Sequence, residues 1–111
     1  MSVVLVVSTF PDAQTAQVLA EKAVEDKLCA CASLFGPGLS IYWWQGQMEG
    51  GEETFALFKT TEEKAKALEA FLAENHPYEV PEILFFPASG GSAAYLAWVA
   101  GTVGRPEQQG Q

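Results

Sequence analysis

An α+β domain built on one antiparallel sheet is the fold class the sequence predicts, and three observations predict it. Apolar runs rich in β-branched and aromatic residues at Val3–Ser8, Ser40–Trp44, Thr54–Lys59 and Glu82–Pro87 read as strands. Two segments with apolar residues three and four apart lie between them and read as amphipathic helices. The resulting order, strand, helix, two strands, helix, strand, is that of the ferredoxin-like split βαβ unit, βαββαβ, with an extra C-terminal helix.

The elements follow in order. Val3–Ser8 is apolar at both parities, as a strand buried on two faces must be. Asp12 is placed to cap a first helix whose inward positions are Ala16, Leu19, Ala20, Ala23 and Leu28. Gly36, Pro37 and Gly38 interrupt the next extended run, and Gln45–Gln47 and Gly50–Gly51 supply turn or bulge positions, which gives a hairpin over roughly Ser40–Thr60. Thr60 with Glu63 fits a capping box for a second helix that turns Ala65, Leu68, Phe71 and Leu72 inward. Pro77 ends that helix, Asn75 suits a left-handed terminal conformation, and His76 falls in a fixed extended turn. Pro81 and Pro87 bound the last strand and either place it at an edge or confine it to the residues between them. Ser92 caps a third helix with Tyr95, Leu96, Trp98 and Val99 on its apolar side, and residues 104–111 have nothing to bury and are expected to fray.

The chain has 111 residues, 49% hydrophobic and 18% charged, which fits one globular domain. Its 14 acidic and 6 basic residues give a net charge of -8, so nucleic acid and anionic membrane surfaces are poor partners. No apolar run approaches the roughly 20 residues of a membrane span, and the start lacks the basic residues of a signal peptide, which predicts a cytoplasmic protein. Its two cysteines, Cys29 and Cys31, are then free thiols. Helices on one face of such a sheet leave the other apolar face in need of a cover, and a homo-oligomer supplies it.

His76 is the only histidine, and Glu74, Glu79 and Glu82 lie near it in sequence. It either contributes to a divalent-cation site or anchors its turn on a backbone carbonyl. Cys29 and Cys31 share a face if both are extended, where a thiolate pair could hold a soft metal, although buried cysteine is most often a core residue. The chain lacks GxSxG, P-loop and GxGxxG patterns, so it reads as no enzyme.

Several stretches together resemble the CutA family of divalent cation tolerance proteins: Val7–Asp12, Leu28–Cys31, Gly38–Gly46, Phe58–Thr61, His76–Ile83 and Tyr95–Trp98. The resemblance runs from the first strand to the last helix. It implies a single ferredoxin-like domain over residues 1–103, assembled into a compact homotrimer similar to the PII signalling proteins. It also implies a role in tolerance of copper and other divalent cations, with no obligatory cofactor and Cu(II) or another divalent cation as the bound ion. Some members bind copper through a first-strand cysteine and two histidines before the proline. Ser8 and Asn75 stand at two of those positions here, which weakens such a site and leaves His76, with Cys31 as the second metal candidate. By the same resemblance Tyr42, Trp43, Trp44, Lys59, Tyr78, Glu79 and Glu82 line an intersubunit cleft. The alternative reading is a PII-like signalling trimer that holds a small anionic ligand there on Lys59.

Overall fold

The computed structural model describes residues 2–104. Seven elements run in the order β1 (Val3–Phe10), α1 (Ala13–Glu25), β2 (Cys31–Trp44), β3 (Gln47–Thr61), α2 (Glu62–Asn75), β4 (Ile83–Pro87) and α3 (Ala93–Val103). The sheet order is β2-β3-β1-β4, with every neighbouring pair antiparallel. That is the ferredoxin-like arrangement expected, with β4 at an edge. The residues expected to fray beyond Gly104 lie outside the described residues. Among the described residues no helix is long and apolar enough to cross a membrane.

Strand parity sorts the residues into two layers. Val4, Val6 and Phe10 on β1 and Ala56 and Phe58 on β3 point to one face, where Ala16, Ala20 and Ala23 of α1 and Ala65, Leu68 and Leu72 of α2 close the main core. On the opposite face α3 covers one end only, with Val99 and Val103 packed on Val3 and Ala30. The rest of that face is open. Register places Leu5 beside Phe86 and Val7 between Leu57 and Leu84, and Phe35, Leu84 and Phe86 are each about half exposed. Tyr95 and Trp98 also lie on the exposed side of α3 instead of in its buried seam.

Several local readings are corrected. The hairpin turns at Gln45 and Gly46, both in the left-handed region (φ 52° and 80°), as a two-residue turn requires. Gly50 and Gly51 are therefore interior to β3, and the hairpin is longer than Ser40–Thr60 at both ends. The irregularity at Gly36–Pro37 is a shift of register between Phe35 and Gly38. Helix α1 ends at Glu25, and Leu28 follows it with its N–H on the Ala23 carbonyl. The capping box at Thr60 does not form, because pairing with β1 carries β3 through Thr61, opposite Val3. Thr61 is the N-cap and makes no side-chain cap bond, while Thr60 donates its hydroxyl to the Leu28 carbonyl at 2.7 Å. Asn75 stays helical and donates its side-chain amide to the Phe71 carbonyl. Asp12 and Ser92 do cap, accepting from the N–H groups of Thr15 and Tyr95.

The two adjacent threonines give a test. Thr60→Val strands the Leu28 carbonyl and is expected to lower stability by about 1–3 kcal/mol. Thr61→Val removes a buried hydroxyl that has no partner, and is expected to cost nothing or to stabilise. Denaturant midpoints at one fixed protein concentration check both; equal losses would contradict the assignment.

Candidate functional site

Where α2 stops, Pro77 holds His76 in an extended conformation (φ -75°, ψ 139°). That sends the imidazole back onto the end of β1. Its Nε2 lies 2.8 Å from the Thr9 carbonyl, and its Nδ1 accepts the Tyr78 N–H at 3.1 Å. With one nitrogen bound to an acceptor and the other to a donor, the ring is the neutral Nε2–H tautomer. It stacks on Phe10 at 4.7 Å and touches the tilted ring of Tyr78 at 5.0 Å. Burial pulls its pKa below the ordinary imidazole value, against the opposing pull of the Thr9 carbonyl and the Glu53 carboxylate.

The loop after His76 is tied a second time, to β3. Tyr78 donates its hydroxyl to Glu53 Oε2 at 2.7 Å. Burial, followed by that bond to the carboxylate, pushes the phenol's pKa well up. Between the loop and the outer hairpin runs a groove of about 850 Å³. Six of the seven expected cleft residues line it: Tyr42, Trp43, Trp44, Tyr78, Glu79 and Glu82. Glu49 and Glu53 join them. Both were missed in the sequence because their place depends on register: the two-residue turn at Gln45 and Gly46 sets Glu49 opposite Tyr42 and Glu53 opposite Gly38.

Lys59 does not belong to this group. It sits six residues along β3 from Glu53, paired with Cys31, and donates to the Ser33 hydroxyl on the open face. The groove lining therefore holds four carboxylates and, among its described residues, no cationic side chain. A small anion has no counter-charge there, so the electrostatics run against the anionic-ligand alternative.

The expected metal residues are not brought together. Thr9, which holds His76, pairs with Phe55, whereas Cys31 pairs with Lys59; four residues along a strand separate them by about 13 Å. Both His76 nitrogens are already engaged. Cys31 lies half-buried with its Sγ 4.0 Å from the Tyr95 hydroxyl. Cys29 points the other way, into the helix-side core, where burial raises its pKa to about 12; the thiols do not share a face. Ser8 is wholly buried. Among the described residues no three His, Cys, Asp or Glu side chains are placed to hold a metal ion.

The His76 geometry fixes a pH dependence. A group whose folded pKa is depressed binds fewer protons folded than unfolded, so stability falls as pH drops below the unfolded value near 6.5. The contribution of neutral His76 is complete above that pH and is lost through the lower folded pKa. The stability gap between the native chain and His76→Gln is expected to narrow from pH 7.5 to pH 5 in denaturant titrations. Parallel curves would contradict the neutral, doubly bonded ring.

Comparison with known proteins places this geometry. The family model of the CutA1 divalent ion tolerance protein matches residues 4–102. The divalent-cation tolerance protein CutA of Escherichia coli O139:H28 (strain E24377A / ETEC) is 42% identical over 96 residues, 86% of each chain. The crystal structure of CutA from Xylella fastidiosa matches with a TM-score of 0.90 at 32% identity, covering 94% of this chain and 100% of that one. The periplasmic divalent cation tolerance protein CutA from Archaeoglobus fulgidus matches with a TM-score of 0.89 at 30% identity, over 92% of this chain and 99% of that one. By a sequence match that spans nearly every element and a backbone that follows those structures throughout, the chain belongs to the CutA1 divalent ion tolerance family.

Proposed function

We propose that the chain acts in tolerance of divalent cations, as a non-catalytic homotrimer in the cytoplasm whose groove gathers divalent cations by charge without chelating them. The observation that carries this reading is the lining of the groove: Glu49, Glu53, Glu79 and Glu82 with no cation among them. Family membership and the names of the relatives support the divalent-cation role. Carboxylates suit hard divalent ions, and their wide spacing argues for weak association of Cu(II), Zn(II) or similar ions over a tight cage. His76 then serves to fasten the loop that forms one wall.

The exposed apolar residues of the open sheet face, Phe35, Leu84 and Phe86 among them, support self-association. Three copies is the number the family resemblance implies. The free thiols of Cys29 and Cys31 suit a reducing compartment. Among the described residues the groove lining includes neither cysteine nor histidine, which supports a binding role over nucleophilic catalysis.

Calorimetric titration of reduced, metal-free protein with Cu(II) and Zn(II) tests the reading. Expected are weak binding that salt suppresses, a severalfold loss in the double variant Glu53→Gln, Glu79→Gln, and no loss in Cys31→Ala. Tight, salt-insensitive binding that disappears in His76→Ala or Cys31→Ala would overturn it.

A further inference from the structure

We propose that the groove between the hairpin and the 77–82 loop binds a linear aliphatic polyamine, an inference that rests on reading the groove as a cation site and goes on to name the shape of the cation. The carboxylates are spread out. Glu49 and Glu53 stand on one face of β3 four residues apart, about 13 Å, and no three acidic, histidine or cysteine side chains among the described residues are placed to hold a metal ion. A compact ion therefore meets at most two of these groups at once. An extended cation whose ammonium groups are separated by methylenes can meet several together.

The surface between the carboxylates suits the methylenes. Tyr42, opposite Glu49, and Trp44 lie on the same face and present rings to the groove. Such rings pack against alkyl stems and attract ammonium groups through their π faces. Ser40 lines the groove, and its partner Gly51 lies on β3 midway between Glu49 and Glu53, so small residues separate the two carboxylates. A Cβ at Gly51 would meet nothing within 4 Å, which leaves a clear path along the strand from one carboxylate to the other. Glu53 spends one oxygen on the Tyr78 hydroxyl and keeps the acceptor capacity of the other. A volume of about 850 Å³ falls within the ordinary range of small-molecule sites.

The test compares two trivalent cations of different shape, spermidine and hexaamminecobalt(III), in calorimetric titrations of the assembled protein at physiological salt. Spermidine is expected to saturate at one per chain and to bind at least about tenfold more tightly than the compact ion. Gly51→Val, which fills the floor without a clash in the fold, is expected to weaken spermidine about tenfold with far-UV signal and assembled mass unchanged; Trp44→Leu should weaken it similarly. Equal affinity for the two ions, or spermidine binding indifferent to Gly51→Val, would overturn the proposal. Zn(II) binding that persists where spermidine does not bind would overturn the polyamine alone, whereas failure of both would overturn the groove as a cation site.

Discussion

The pairing of β1 between β3 and β4 is the constraint on which the rest depends. Its register commits Val4, Val6, Ser8 and Phe10 to the helix layer and Leu5 and Val7 to the far side. A one-residue slip would exchange the two sets. The same pairing extends β3 to Thr61, so α2 starts one residue later than its capping signal suggests, and it delivers the Thr9 carbonyl to the spot where α2 releases His76. The packing of the core and the geometry of the loop thus have one origin. What α1 and α2 bury is a compact core; what α3 leaves open is an apolar sheet surface that a second layer of protein is suited to cover.

The candidate site is likewise a consequence of two ties on one short loop. His76 fastens it to β1 and Tyr78 fastens it to Glu53 on β3. A ring that must accept from one neighbour and donate to another works only as neutral imidazole, and burial against Phe10 favours that form. The histidine that most invites a metal assignment is therefore occupied as a structural fastener. The charge of the site comes instead from glutamates whose separation suits diffuse or extended cations.

Much of this was legible in the sequence. The element order, the bounding of β4 by Pro81 and Pro87, and the caps at Asp12 and Ser92 follow from short-range rules, whereas the aromatic content of the cleft came from the family resemblance. Three of the misreadings share a cause, since each needed knowledge of a partner strand. Thr60 has the chemistry of a cap, but strand pairing spends its hydroxyl on Leu28. Lys59 is close to the cleft residues in sequence and shares strand parity with Glu53, yet it lies six residues further along β3, beyond the groove, where it donates to Ser33. Glu49 and Glu53 look like solvated charges on a hairpin, and the register set by the turn at Gln45 and Gly46 brings them opposite Tyr42 and Gly38.

The open face carries the account's central claim, and Leu57, half-buried at the middle of that face between Val7 and Ser33, is the place to test it. Light scattering of the native chain and Leu57→Glu, with far-UV circular dichroism to verify the fold, is the most direct measurement. The account predicts about three times the 12.0 kDa chain mass for the native protein and a folded species of lower mass for the variant, because a carboxylate cannot be buried unpaired in an apolar interface. A native protein at single-chain mass, or a variant that keeps the full assembled mass, would contradict it.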